Sequence, residues 1–178
     1  GAAGTATSVA GIPFYLADTS IYTHDVSGTD NSASQNTAYG IEALDAITTG
    51  DGNTAIGRGS SSGITTGTRN VALGRASLDS PDTENDNLAI GYNALAGTIA
   101  GGEFNVAIGN YALDALTSGD RNTSVGYGSG TDLNTASDCV VLGYNAGANV
   151  TTGNHNTFVG SEAGLSVTTG DRNTIIGV

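Results

Sequence analysis

A five-residue phrase, Asn-Thr-x-Ile-Gly with small variations, returns along almost the whole chain and closes on Gly40, Gly57, Gly74, Gly91, Gly109, Gly126, Gly143, Gly160 and Gly177. Successive closing glycines stand 17 residues apart, apart from one step of 18 between Gly91 and Gly109. A period this strict makes each unit one supersecondary element, and it makes the fold a stack of such elements rather than a globule around one closed core. Seventeen residues with two glycine punctuations cannot hold a pair of packed helices. The β-branched, period-two character of Thr-x-Ile favours strands bounded by turns. The predicted fold class is all-β: a parallel β-solenoid, or β-roll, of 17-residue coils. Equivalent residues would stack about 4.8 Å apart, so nine coils would form a rod roughly 40 Å long.

Aligned on this period, the residue before each glycine (Tyr39, Ile56, Leu73, Ile90 and their successors) and the residue two positions earlier (Thr37, Thr54, Val71, Leu88 and on) share one strand face. These apolar columns are expected to fill the coil. The column between them is small, Ala38, Ala55, Ala72, Ala89, Ala107 and Ser124, and swells to Val141, Phe158 and Ile175. Its smallness suggests close packing against another chain, with more room toward the C-terminus. Asparagine opens the units at Asn36, Asn53, Asn70, Asn87, Asn105, Asn122, Asn156 and Asn173, with Cys139 in the same column. Stacked asparagines can satisfy a corner's backbone groups and one another, so this column reads as an internal structural ladder rather than a binding site. Gly50, Gly67, Gly119, Gly153 and Gly170 are expected to supply positive φ at turns.

The period assigns residues 19–178 to the solenoid, with a degenerate first coil at 19–35, where Thr19-Ser20-Ile21-Tyr22-Thr23 precedes the Asn36 phrase by 17 residues. Residues 1–18 form an N-terminal extension in which Ile12, Phe14 and Leu16 alternate like a strand. At the far end, Ile175 and Ile176 leave an open apolar coil edge, which invites another strand. The two ends together predict head-to-tail assembly of subunits into a filament.

The chain carries 17 acidic and 5 basic residues, a formal charge of −12, which repels a phosphate backbone and leaves no basic patch for nucleic acid. No apolar run approaches a transmembrane span, so membrane insertion is not expected. Nor does the sequence, which starts at Gly1, open with the charged and apolar regions of a signal peptide. The single cysteine permits no intrachain disulfide. His24 and His155 belong to no metal-spaced cluster, and the aspartates Asp51, Asp120 and Asp171 repeat one turn instead of converging on a cleft. Neither a catalytic residue nor a cofactor is expected, beyond weak Ca²⁺ binding at acidic turns such as Gly50-Asp51-Gly52-Asn53.

The phrase Asn-Thr-x-Ile-Gly, followed by x-x-Ala and Thr-Thr-Gly-x-x over residues 36 to 178, resembles repeats in the shafts of bacteriophage tail fibres and related large surface proteins. It is similar, less closely, to the shorter repeat of trimeric autotransporter adhesin heads, which are trimers of β-rolls. The resemblance implies a non-enzymatic homotrimeric fibre segment, extracellular or on a virion surface, that supports attachment to a cell-surface receptor or glycan. Two other readings are a subunit of a self-assembling extracellular filament or adhesin head, and an ice-binding protein. The last rests on the threonine pairs Thr48-Thr49, Thr65-Thr66, Thr151-Thr152 and Thr168-Thr169, a column interrupted at Asp82, Ile99-Ala100 and Asn134.

Overall fold

The computed structural model describes residues 7–9, 12–17, 20–22, 32–80, 82–98 and 101–178. The remainder of the 1–18 extension and of the 19–35 coil, with His24, Ile99 and Ala100, lies outside the described residues. Among the described residues, twelve strands follow one another in a single sheet in sequence order. β1 (Thr7–Val9), β2 (Ile12–Ala17) and β3 (Ser20–Tyr22) pair antiparallel. From β3 onward every pairing is parallel, through nine three-residue strands from β4 (Thr37–Tyr39) to β12 (Thr174–Ile176). Ten parallel strands give a β-solenoid roughly 43 Å long. Each coil contributes one short strand, and turns make up its other sides.

Seventeen residues close into a coil because the chain reverses sharply at the same places each time. Residues before the asparagine (Arg69, φ 58), two after the closing glycine (Ala76, φ 51) and four after it (Leu78, φ 49) adopt left-handed backbone, coil after coil. For L-residues this costs on the order of 1 kcal/mol each, so a single coil is not locally favoured. What holds it is the neighbouring coil. Backbone bonds join coils along the turns as well as the strands, as in Leu44 N–H to Ser60 C=O (3.1 Å), Thr48 N–H to Thr65 C=O (2.9 Å) and Gly57 N–H to Tyr39 C=O (2.8 Å). The closing glycines have φ of 132–146°, and a Cβ at Gly74 would sit within the radius of the Gly91 carbonyl oxygen. By contrast, Gly50, Gly67, Gly119, Gly153 and Gly170 are not left-handed. At Gly50, Gly67 and Gly153 the requirement is space, because a Cβ would collide with a carbonyl oxygen of the next coil, that of Gly67, Glu84 and Gly170 respectively.

The structure inverts the expected inside and outside of the strand. Ala38, Ala55, Ala72, Ala89 and Ala107, read from sequence as an interchain contact, are at most 1% exposed and form the interior of their own coil. The flanking columns, expected to fill the coil, point out: Leu73 is 45% exposed and Ile56 39%. The reason is cross-section. Facing the inward strand column is the residue four past the glycine, and the two vary reciprocally in six of eight coils; Ala55 with Ser61 and Ser124 with Gly130 pair small with small. Ala38, Ala72, Ala89 and Ala107 face Leu44, Leu78, Leu95 and Leu113, whereas Val141 and Phe158 belong to coils with Gly147 and Gly164 at that place. A Cβ at Gly164 would lie 2.5 Å from Phe158 Cδ1, and one at Gly147 2.9 Å from Phe158 Cδ2. The swelling of the alanine column at Val141 and Phe158 is thus internal compensation for Gly147 and Gly164, as close packing requires.

The first coil also differs from its sequence alignment. Ile21 pairs with Thr37 and Tyr22 with Ala38, a spacing of 16 rather than 17. Tyr22 is therefore fully buried under the alanine column while Ile21 faces out. Ser20 Oγ takes the ladder position, accepting the Asn36 N–H at 2.9 Å.

This complementarity predicts a reversal on recombination. Gly164→Leu alone should cost about 1–3 kcal/mol through overpacking against Phe158. Adding Phe158→Ala recreates the Ala/Leu pair of the other coils and should restore most of the loss in a denaturant-unfolding double-mutant cycle. Additive losses would contradict the pairing.

Candidate interaction face

Two polar ladders run through the stack in opposite senses. In the first, each asparagine carboxamide oxygen accepts the backbone N–H of the asparagine one coil on: Asn36 from Asn53 (2.8 Å), Asn70 from Asn87 (3.0 Å), Asn105 from Asn122 (2.9 Å), Asn156 from Asn173 (2.9 Å). Its Nδ2 donates to the carbonyl at the end of its own coil, as Asn36 does to Gly50, Asn87 to Gly102 and Asn122 to Ala136, at 2.7–2.9 Å. Asn36 through Asn156 are at most 1% exposed, and Asn173, in the last coil, is half-buried. In the second ladder, the residue two before the asparagine accepts a backbone N–H from the preceding coil at several levels. Asp51 serves Ser34 (2.7 Å), Asp120 serves Glu103 (2.9 Å) and Asp171 serves Asn154 (2.7 Å). The repeated aspartates are thus coil-to-coil caps. Among the described residues no three His, Cys, Asp or Glu side chains converge where a metal could bind.

Cys139 interrupts the first ladder. Its N–H still reaches Asn122 Oδ1 (3.0 Å), and its thiol donates to the Gly153 carbonyl (3.3 Å) where an asparagine amide would. The Asn156 N–H faces the cysteine sulfur in place of a carboxamide oxygen. Burial pushes the thiol pKa up, which keeps it protonated and a donor.

Outside the ladders lies the face formed by the two outward columns of the strands. From Thr37 to Ile176 these eighteen positions hold only Thr, Val, Leu, Ile and one Tyr, and all are half-buried or exposed. None of the chain's 17 acidic and 5 basic residues falls on them. Charged and aromatic residues line the two rims instead. On the rim before the asparagines, Arg69 forks onto Asp86 (2.7 and 2.6 Å) and Arg121 onto Asp138 (2.7 and 3.1 Å), with His155 Nε2 3.8 Å from Asp138. The arginine hydrogen bonds hold both carboxyls below the usual range. On the rim after the glycines, Arg75 lies over the Tyr92 ring (5.4 Å), and Tyr92, Tyr111, Tyr127 and Tyr144 form an aromatic ladder with centroids 5.3–5.7 Å apart. Deeper in the coil, Asp114 Oδ1 is buried without a hydrogen-bond partner, and burial pushes its carboxyl pKa up.

The residues read from sequence as end contacts are placed differently from one another. β2, which carries Ile12, Phe14 and Leu16, is paired along both edges within its own chain, so it is not a free assembly strand; the outer edge at that end belongs to β1. Ile175 packs against the core, and Ile176 is 75% exposed on β12, the opposite edge of the sheet. The tyrosine ladder escaped sequence reading because Tyr111 sits two places after its closing glycine, whereas Tyr92, Tyr127 and Tyr144 sit one place after theirs. No family model matches the chain, and no curated protein or solved structure matches it.

The ladder makes opposite predictions for two substitutions. Asn87→Ala strands the Asn105 N–H and the Gly102 carbonyl in the interior and should cost about 1–3 kcal/mol. Cys139→Asn supplies the missing acceptor for Asn156 and should add about 1 kcal/mol. Denaturant midpoints that leave both variants at the wild-type value would contradict a buried ladder.

Proposed function

We propose that this chain is a non-enzymatic structural segment of an elongated fibre, extracellular or on a virion surface, in which three parallel copies pack their uncharged strand faces about a common axis and support attachment to a receptor or glycan. The single observation that carries the reading is the uncharged outward face. A chain of net charge −12 that keeps eighteen consecutive outward strand positions free of charge has a surface suited to a partner rather than to water. The face is continuous along the rod, two side-chain columns wide, and bordered by polar rims, the usual anatomy of an interface. A rod-like partner of the same length and pattern is supplied by another copy.

The fibre reading is also supported against an ice-binding plane by the threonines. The Thr48 and Thr151 hydroxyls donate to the Thr65 and Thr168 carbonyls (2.9 and 3.2 Å), and those of Thr65 and Thr117 bond to Asp82 and Asn134. These hydroxyls are engaged by the stack itself.

Leu73→Glu combined with Ile108→Glu places charges on the strand face without touching the coil interior. Light scattering should show a trimer for the wild type and a monomer for the double variant, with the β circular-dichroism signature retained. A monomeric wild type, or a variant of unchanged mass, would contradict the reading.

A further inference from the structure

Resting on that assembly, we infer that neighbouring copies meet rim to rim, with the tyrosine ladder of one copy docked in register against the Asp86–Phe104–Arg121–Asp138 column of the next. Rotation about an axis along the fibre brings the rim after the glycines of one copy beside the rim before the asparagines of its neighbour, at the same height. The members of each height can be read from the strand between them. Tyr92 and Asp86 flank one strand, Tyr111 and Phe104 the next, then Tyr127 and Arg121, then Tyr144 and Asp138.

Each of these four levels is chemically complementary. The asparagine-side rim alternates in sign along the fibre, so a charged facing column would match one level and repel the next. A phenol both donates and accepts. The same residue type can therefore donate to Asp86 and Asp138 and accept from Arg121. The ladder holds these phenols in place: Tyr127 and Tyr144 stack at 15° and 5.7 Å, and they remain 50% and 52% exposed. Opposite them, the fork of Arg121 onto Asp138 fixes the guanidinium.

Phe104 supplies the independent observation. It is 53% exposed and sits at φ 59, in a column where other coils use Arg, Asp, His, Gln or Gly. Neither its own core nor turn chemistry calls for an exposed phenylalanine in left-handed backbone. A partner ring at that height does, and the facing residue is Tyr111. Two coils earlier the facing pair is Arg75 with Arg69, where Asp86 already neutralises Arg69.

Tyr127→Cys combined with Arg121→Cys in one chain tests this. The two positions lie at opposite ends of an extended strand, beyond the roughly 7 Å between Cα atoms that a disulfide spans, so a bond between them must join different copies. Cys139 is buried and gives no background. Mild oxidation should yield covalent trimers on a denaturing gel, and Tyr127→Cys with His155→Cys, two coils out of register, should not. A trimer by light scattering that fails to crosslink, or crosslinks equally in the offset pair, overturns the rim docking and leaves the trimer standing. Dimers from Tyr127→Cys alone would show antiparallel copies and overturn it as well. Covalent dimers alone from the in-register pair would uphold the rim contact and reject threefold symmetry, whereas a monomeric wild type rejects both. Phe104→Ser provides a second readout: at least a tenfold weaker self-association is expected, and unchanged association would contradict the Tyr111 contact.

Discussion

Every other feature of this fold depends on hydrogen bonding from one coil to the next. A 17-residue coil that turns through three left-handed positions is unfavourable alone, and its corners would bury backbone groups without partners. The asparagine carboxamide answers both problems, since one side chain closes its own coil through Nδ2 and grips the following coil through Oδ1. The cap formed by Asp51, Asp120 and Asp171 works in the reverse sense, so the joints they span are tied from both sides. Stability in such a stack is a nearest-neighbour property, and an interior coil is held better than an end coil.

The narrowness of the coil decides what faces outward. With the interior wide enough only for an alanine opposite a leucine, or a phenylalanine opposite a glycine, the larger β-branched residues of the strand have no room inside. They form an exterior sheet face without charge. The rims then carry the polar chemistry, with arginine–aspartate forks on one side and stacked tyrosines on the other. The proposed self-association along the rod rests on the first of these features, and its proposed register on the second.

Much of this was legible in the sequence. The 17-residue period fixed the solenoid and the strand positions, and the asparagine column announced a ladder whose bonds the structure supplies. The orientation of the strand was not legible from polarity, because Val71, Leu73 and Ile90 look like core residues in any ordinary sheet while Ala72 and Ala89 look like contact residues. The signal lay instead in the covariation of Ala107 with Leu113 and of Phe158 with Gly164, which only interior neighbours would show. The first coil misaligned for a related reason: Ser20 can replace an asparagine as ladder acceptor, and a spacing of 16 is then allowed. The proposed rim pairing could not be seen from spacing alone, since Tyr111 stands two residues after its closing glycine where Tyr92, Tyr127 and Tyr144 stand one after.

The central claim is that coil-to-coil bonding through the buried asparagine column holds the fold, and residue-resolved amide hydrogen exchange tests it most directly. The account predicts slow exchange recurring with the repeat at the amides of Asn53, Asn70, Asn87, Asn105 and Asn122, with weaker protection at Asn173 in the last coil. Fast exchange at the interior asparagine amides, while the Val71 and Val106 strand amides stay protected, would contradict it.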